Sequence, residues 1–117
     1  MLKELADEVA EETLHALAKY MLMNFHIKEK YKKQLEGVIY VDCSSRIQII
    51  ECEKDNPVMF RLLNRLKGEG MLALINTSFN VVGEPIVHIS EDAKTSARNM
   101  NIDALILNGK LYLKGDF

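Results

Sequence analysis

The alternation of apolar and polar positions divides the chain into segments typical of helices and strands. Apolar residues at helical spacing over residues 2 to 19 predict an amphipathic helix. Large apolar residues without a helix breaker predict a buried strand over residues 20 to 27. The charged stretch 28 to 35 predicts a short helix or a turn.

Strands are also predicted on both sides of a polar corner. β-Branched residues favour strands over 38–41 and 46–51, with the polar corner 42–45 between them. The continuous apolar run 71–75 is typical of a central strand covered on both faces, and it stops abruptly at the polar loop 76–80. Polar side chains directly after a buried strand mark a candidate site.

Local capping signals predict two more helices. Asn56 followed by Pro57 is typical of a helix N-terminus, in which the amide caps the first turn and proline takes the first helical position. Gly68 and Gly70 predict the end of that helix. Ser90 predicts a second N-cap, and the two acidic residues after it favour the positive end of a helix dipole.

Glycine-containing turns organise the C-terminal part of the chain. The segment 83–85, Gly-Glu-Pro, predicts a turn in which glycine takes a positive φ, and a short strand follows at 86–87. Residues 104–107 and 111–113 predict the strands of a hairpin around Asn-Gly at 108–109. The whole pattern predicts an α/β (α+β) fold in a single domain, residues 1–117, with helices packed on a β-sheet.

Composition and charge narrow the functional classes. A hydrophobic share of 48% suits a globular domain with a core. Because 15 basic and 17 acidic residues give a net charge of −2, no overall field attracts nucleic acid or an anionic membrane. No apolar run reaches the length of a membrane span and no signal peptide is evident, so we expect a cytoplasmic protein. Cys43 and Cys52 are expected to be free thiols.

The polar corner and the polar loop hold the residues best suited to a phosphorylated ligand. Arg46 offers a permanent charge and a two-pronged guanidinium, while Asn76, Ser78 and the loop N–H groups can orient oxygens. Ligands of open α/β sheets collect beyond the carboxyl ends of strands. The spacing alone leaves a second interpretation open, in which the loop residues only form a turn and Arg46 is an ordinary surface residue.

Metal and nucleophile chemistry have weaker support. The histidines and cysteines do not fall at the spacings of structural zinc sites, so no metal ligand is predicted. Asp42 and Glu84 are candidate companions of a nucleotide-bound magnesium ion, or ordinary turn residues. Neither Ser78 nor Cys43 has a recognisable histidine and acid partner for nucleophilic catalysis.

Two strings of residues resemble a known family. The run 76–87, Asn-Thr-Ser-Phe-Asn-Val-Val-Gly-Glu-Pro-Ile-Val, with Glu-Asp-Ala at 91–93 and Asp-Ala-Leu at 103–105, resembles the C-terminal domain of the carbamoyltransferases that decorate nodulation factors and antibiotics. The segment 41–48, Val-Asp-Cys-Ser-Ser-Arg-Ile-Gln, is similar to that family's Val-Asp-Gly-Thr-Ala-Arg-x-Gln. Asn-Pro at 56–57 leads into a similar helix, and Tyr-Met at 20–21 with the strand after it also matches, so the resemblance covers nearly the whole chain.

The resemblance implies a fold and an activity. The implied fold is YrdC-like, a twisted mixed β-sheet with helices packed on it, truncated here at the N-terminus. The implied reaction joins carbamoyl phosphate and ATP, with Mg²⁺ in the complete enzyme, to give a carbamoyl adenylate. A larger N-terminal transferase domain of actin-like ATPase (Kae1-like) ancestry, in the same chain or a separate one, would pass the carbamoyl group to an acceptor hydroxyl. No cofactor is expected to bind this chain tightly, and neither nucleic acid nor a membrane is an expected partner.

The resemblance also implies roles for single residues. Catalysis is assigned to Arg46 and Ser78, and binding of substrate or nucleotide to Arg46, Asn76, Thr77, Ser78, Asn80 and Asp42. The family's further basic residues come from a segment that would precede this chain, so we expect the isolated chain to be inactive.

Three positions depart from the family pattern. Tyr40 stands where the family often has histidine, Cys43 replaces a glycine, and Val82 occupies a position that is often basic. These departures leave an alternative open, in which the chain is a non-enzymatic binding or assembly module derived from the same fold.

Overall fold

The computed structural model describes residues 1–117, and the chain folds into two compact units, residues 1–75 and 76–117, which are described separately. Four α-helices and two small antiparallel sheets confirm the predicted α+β class. Each sheet has two strands, so two separate pairs stand where one twisted mixed sheet was expected. The YrdC-like topology and the single domain stay predictions.

The centre of the first unit's core comes from the first part of its sequence. Its elements are α1 (Lys3–Val9), a 3-10 helix (Ala16–Tyr20), β1 (Phe25–His26), α2 (Glu29–Lys32), a second 3-10 helix (Glu36–Val38), β2 (Ser44–Ser45) and α3 (Pro57–Gly68). The largest fully buried side chains are Phe25, Leu2, Ile27 and Val9, so α1 and β1 supply the centre of this core.

The first predicted helix and strand are both shorter in the structure. Helix α1 ends at Val9 because Ala10 turns to an extended conformation and forms an antiparallel bridge with Ile27. The predicted strand 20–27 is reduced to Phe25–His26, since the chain before it forms a 3-10 helix that ends at the left-handed Met21. Pairing between residues distant in sequence ends the helix, whereas a local 3-10 helix precedes the shortened strand. The short helix predicted within 28–35 is confirmed as α2.

The two strands predicted around the polar corner are wrong as strands, because the corner itself pairs. Ser44 and Ser45 form β2, with Phe25 opposite Ser45 and His26 opposite Ser44. Residues 46–49 form no ladder, yet their side chains alternate between exposed and buried, as an extended segment over a core does. The period-two pattern thus predicted the burial correctly, although the segment bonds to the N-terminal residues and to Ala18 and not to a neighbouring strand.

The signals around α3 are confirmed, and those after it are not. The Asn56 amide oxygen accepts a hydrogen bond from the Met59 N–H at 3.1 Å, Pro57 is the first helical residue, and the helix ends at Gly68. The run 71–75, predicted as a covered central strand, pairs with no other strand, and the Ile75 side chain is 68% exposed.

The second unit contains one helix and a hairpin. Its elements are α4 (Ser90–Asn99), β3 (Ala104–Leu107) and β4 (Lys110–Leu113). The hairpin is confirmed, because Leu107 pairs with Lys110 and the intervening Asn108 and Gly109 both have positive φ, as a tight two-residue turn requires. Ala93 and Ala97 of α4 are buried, as is Leu105 of β3.

Two details of the second unit correct the sequence interpretation. Ser90 is the first helical residue rather than the N-cap, which is Ile89 and makes no side-chain cap bond. The strand predicted at 86–87 is absent as an element, and only the Val87 N–H bonds, to the Phe79 carbonyl at 3.4 Å. Gly83 does take the predicted positive φ, 86°. None of the helices in the structure has the length and apolar composition needed to cross a bilayer.

Candidate ligand-binding site

The polar corner, residues 42–45, and the nearby Tyr40 are held in shape by short-range hydrogen bonds. One carboxylate oxygen of Asp42 accepts hydrogen bonds from the Ser44 N–H at 2.9 Å and from the Ser44 hydroxyl at 2.7 Å. The Cys43 N–H donates to the Tyr40 carbonyl at 2.9 Å, and the Tyr40 N–H donates to the Ser44 carbonyl at 2.8 Å. The corner therefore has one defined backbone path before any ligand binds.

Contacts to buried elements fix the corner to the first unit. The Ile27 N–H donates to the Cys43 carbonyl at 3.0 Å, and the buried Ser45 hydroxyl donates to the Val38 carbonyl at 2.7 Å. Phe25, the strand partner of Ser45, is fully buried. The residue that follows this anchor is Arg46, so the anchor determines where the arginine leaves the core.

Cys43 has a left-handed backbone, with φ at +64°. A side chain in this region costs roughly 1–2 kcal/mol relative to glycine because Cβ approaches the neighbouring carbonyl oxygen. The sequence resemblance implies a glycine at this position, and glycine takes a positive φ without that cost. Cysteine keeps the conformation that glycine favours, at the cost of strain.

The corner lies among charged groups. The hydrogen bond from the Ser44 hydroxyl, followed by the one from the Ser44 N–H, lowers the pKa of Asp42 below its ordinary value, so Asp42 stays ionised. Lys32 lies beside the Cys43 thiol and 2.6 Å from a carboxylate oxygen of Glu29, and these two contacts raise the pKa of Lys32. A cation and an anion thus flank the strained residue.

A contact between Glu12 and His26, which lies on the strand paired with Ser44 and Ser45, was not predicted from the sequence. The Glu12 carboxylate lies 2.5 Å from the His26 Nδ1 and accepts the His26 backbone N–H at 2.8 Å. This pairing raises the pKa of His26 and lowers the pKa of Glu12. The two residues are 14 positions apart, and no helical or strand spacing signals the contact.

Arg46 projects from the corner into solvent. Its side chain is exposed between the buried Ser45 and Ile47, and none of the ion pairs of the structure involves it. The predicted cation is therefore available to a ligand. Asp42, predicted as a ligand contact, has one oxygen engaged by Ser44 and acts first as a brace of the corner.

The polar loop belongs to the second unit and differs in character. Asn76, Thr77 and Ser78 are exposed, and their side chains make no hydrogen bond within the chain. Asn80 is half-buried, and its amide donates to the carbonyls of Glu84 at 2.8 Å and Val81 at 3.2 Å. Its amide oxygen is buried without a partner. Asn80 therefore supports the turn at Gly83, and the three residues before it remain free to bind.

The structure tests the predicted ligand contacts by their exposure to solvent. Arg46, Asn76, Thr77 and Ser78 are all exposed, as ligand contacts must be. Arg46 lies in the first unit and the loop in the second, so their convergence on one pocket stays a prediction. Two cavities of the first unit, of about 330 and 310 Å³, are lined by other residues. No cluster of three His, Cys, Asp or Glu residues could hold a metal ion.

An exposed arginine on a braced corner, together with a loop of free amide and hydroxyl groups, suits a domain that binds anionic ligands. The family model described as "Carbamoyltransferase C-terminus" matches residues 1–114. The chain belongs to this family of carbamoyltransferase C-terminal domains, which confirms the resemblance found in the sequence.

Relatives extend the comparison to longer proteins. The chain is 40% identical to the uncharacterized protein MJ1058 of Methanocaldococcus jannaschii over 94 residues, which cover 80% of this chain and 15% of that protein. It is 34% identical to nodulation protein NolO of Bradyrhizobium diazoefficiens over 79% of this chain and 17% of the relative. It is 30% identical to nodulation protein U of Rhizobium tropici over 81% and 16%, respectively. The chain thus spans less than a fifth of these proteins.

Proposed function

We propose that this chain is the nucleotide- and carbamoyl-phosphate-binding part of a carbamoyltransferase and takes part in forming a carbamoyl adenylate. The observation that carries the proposal is the family match over residues 1–114, which includes both Arg46 and the loop 76–78. In the structure these side chains are exposed and have no partners within the chain.

The reaction explains why these residue types are needed. Overall, carbamoyl phosphate, ATP and water give carbamoyl adenylate, phosphate and pyrophosphate. Carbamate, released when water displaces phosphate, attacks the α-phosphorus of ATP through an oxygen, and pyrophosphate leaves. Arg46 would bind phosphoryl oxygens through its two-pronged guanidinium, and Ser78 and Asn76 would orient the carbamoyl or phosphoryl group by hydrogen bonds. Thr77 and the loop N–H groups would add further donors.

Electrostatics explain why the isolated chain is expected to be inactive. Two anionic substrates repel each other unless several cations lie between them. Arg46 is the exposed cation of the corner, and Lys32 is already engaged by Glu29. Further cations would come from the rest of the polypeptide, together with the larger transferase domain that receives the carbamoyl group. That domain is the proposed protein partner, and a cytoplasmic location supplies both substrates.

Magnesium would enter with the nucleotide rather than through a protein cage. The donor set of this chain fits that role, because no cluster of acidic residues could hold the ion and one Asp42 oxygen is committed to Ser44. Mg²⁺ bound by phosphates and a few carboxylates is usual in nucleotide sites. It would neutralise phosphate charge there, and no tightly bound cofactor is proposed for the chain itself.

A chimera tests this function with a complete polypeptide. Full-length MJ1058, with its matching segment replaced by this chain, is expected to release pyrophosphate only when both ATP and carbamoyl phosphate are present. The isolated chain is expected to bind ATP weakly in calorimetry and to release no pyrophosphate. Robust turnover by the isolated chain would refute the incomplete site.

Single substitutions in the chimera then assign the residues. Arg46→Ala or Ser78→Ala should lower pyrophosphate release by about 100-fold or more, the usual effect of removing one charge-stabilising group. Arg65→Ala, an exposed arginine on α3, and Ser90→Ala, whose side chain caps nothing, are the matched controls and should stay within about twofold. Equal loss in the controls would mean that the effect is not local to the site.

A non-enzymatic binding or assembly module is the second candidate. The observation in its favour is Cys43. This strained left-handed residue of the corner carries a side chain at a position where the resemblance implies glycine. If the chimera binds neither ATP nor carbamoyl phosphate in calorimetry while remaining folded, this candidate replaces the first.

A further inference from the structure

The segment 71–75 is apolar, and beyond Met71 its backbone has no hydrogen-bond partner. The Met71 N–H still bonds to the Leu66 carbonyl of α3 at 3.0 Å, but from Leu72 to Ile75 no backbone N–H or C=O group takes part in a hydrogen bond of the structure. Buried backbone groups are almost always paired, and pairing is the rule for an apolar strand. The segment therefore has the apolar composition of a central strand, but its backbone groups from Leu72 to Ile75 are unpaired.

Two residues of the segment already pack against the first unit. Leu72 and Ala73 are half-buried and pack against the core of the first unit. Met71, Leu74 and Ile75 remain 46%, 38% and 68% exposed. The middle of the segment is thus packed on the core, while its ends present large apolar side chains to solvent.

A groove lies along the segment. It has a volume of about 310 Å³ and is lined on one side by Leu35, Gly37 and Val38 and on the other by residues 70–73 and Ile75. A Cβ added to Gly37 would lie 3.8 Å from the Ile75 Cδ1, so the two walls approach closely there. The groove has an apolar floor and an unpaired backbone on one wall.

The segment lacks the features that protect a free strand edge. Natural proteins place lysine, proline or other charges on edges that stay exposed, because an unprotected edge pairs with other chains. Residues 70–83 contain no charged residue and no proline. Such an edge is expected to be covered in the assembled protein.

We propose that residues 71–75 accept an extended apolar segment from the remainder of a full-length carbamoyltransferase, which pairs with them as an added strand. The unpaired N–H and C=O groups of 72–75 favour a strand over a helix as the occupant, since a helix satisfies its own backbone. The remainder of a full-length protein is the proposed source of this strand, because the chain spans only 15% of MJ1058 and 17% of NolO. The inference rests on the proposed function only for the existence of the larger partner region.

Hydrogen–deuterium exchange tests the pairing directly. In the isolated chain the amides of 72–75 should exchange near the rate of an unstructured peptide, because they have no hydrogen bonds. In the chimera with MJ1058 the same amides should exchange at least about 100-fold more slowly. Equally fast exchange in both proteins would overturn the proposal. The readout needs neither substrate nor turnover, so an inactive chimera tests the surface and leaves the catalytic proposal as a separate question.

Two lysine variants separate this surface from general effects. Ile75→Lys in the chimera should accelerate exchange at 72–75 by about tenfold or more, whereas Val58→Lys, at a 75% exposed position on α3, should not. Slow exchange that depends on protein concentration in the isolated chain, with a dimer in sedimentation, would assign the surface to a second copy and overturn the proposed occupant.

The isolated chain gives a further readout that does not depend on the chimera folding. Ile75→Lys should shift its Tm by less than about 2 °C, because the side chain is mostly in solvent. A loss of more than about 5 °C would show that the segment is already covered within the chain, which would rule out the proposal.

Discussion

The polar corner of the first unit and the polar loop of the second both carry polar side chains. They differ in how many hydrogen bonds hold them in place. In the corner, Asp42, Cys43 and Ser45 all take part in hydrogen bonds, and Arg46 follows a buried anchor. In the loop, residues 76–78 make no hydrogen bond with the rest of the chain. Hydrogen bonds of the fold organise the corner, whereas none fixes residues 76–78 of the loop.

This difference matters for binding energy. An arginine on a corner whose backbone is already fixed loses only side-chain entropy when a phosphate binds, whereas a free loop must lose backbone and side-chain entropy at that moment. The corner should therefore determine where the anion binds. The loop should contribute mainly when the ligand, or the rest of the polypeptide, supplies enough contacts to order it.

The largest expected effect comes from removing the core residue beneath the corner. Phe25→Ala deletes a fully buried ring opposite Ser45 and should lower the free energy of unfolding by about 3–5 kcal/mol. Urea unfolding measures the change. Phe25→Leu, which keeps an apolar side chain, should cost clearly less, and equal losses would mean that the ring does not pack as described.

The elements predicted correctly are those whose signals are local. The cap of α3 needs only Asn56 and Pro57, and the hairpin needs only Asn108 and Gly109, so a few adjacent residues determine each. The long first helix was wrong because Ala10 pairs with Ile27, a contact that no local pattern encodes.

The candidate site shows the same limit. Arg46 and residues 76–78 were predicted as ligand contacts, and the structure places all four at the surface, as such contacts must be. The engagement of the Asp42 carboxylate was missed, although the spacing of Asp42 and Ser44 is the signal of a local side-chain turn. The pairing of Glu12 with His26 depends on how the chain folds back and could not be found from spacing.

A smaller effect should come from the His26 and Glu12 pair, through pH. The raised pKa of His26 contributes stability that is fully present below its ordinary value of 6.5 and is lost as pH rises through the raised value. The lowered pKa of Glu12 contributes stability that is present above its ordinary value of 4.5 and is lost as pH falls through the lowered value. The contribution of the pair is therefore greatest between pH 4.5 and 6.5.

Glu12→Gln isolates this contribution. Glutamine keeps an oxygen that can accept the His26 backbone N–H but has no charge, so the His26 pKa measured by NMR should fall toward 6.5. Between about pH 6 and pH 9 the urea midpoint of the unmodified chain should then fall more than that of the variant. Parallel midpoints would show that the pair does not couple to folding.

A still smaller change, of opposite sign, should follow from Cys43→Gly. Glycine relieves the strain of a φ of +64°, and part of that gain is offset by the larger entropy of the unfolded chain. We expect a net stabilisation of about 0.5 kcal/mol in urea unfolding. Cys43→Val should destabilise, because a β-branched residue tolerates positive φ poorly. Destabilisation by glycine would mean that the thiol contributes contacts that outweigh the strain.

The smallest effect is expected for Asn76→Ala in the loop, and Asn80→Ala is its matched asparagine variant with a larger expected cost. Asn76 is exposed and makes no hydrogen bond, so its loss should change the free energy of unfolding by no more than about 0.5 kcal/mol. Asn80 donates to the Glu84 and Val81 carbonyls, so its loss should cost about 1 kcal/mol. Both values follow from urea unfolding. If Asn76→Ala cost as much as Asn80→Ala, the loop would already be organised by the chain, and the contrast with the corner would disappear.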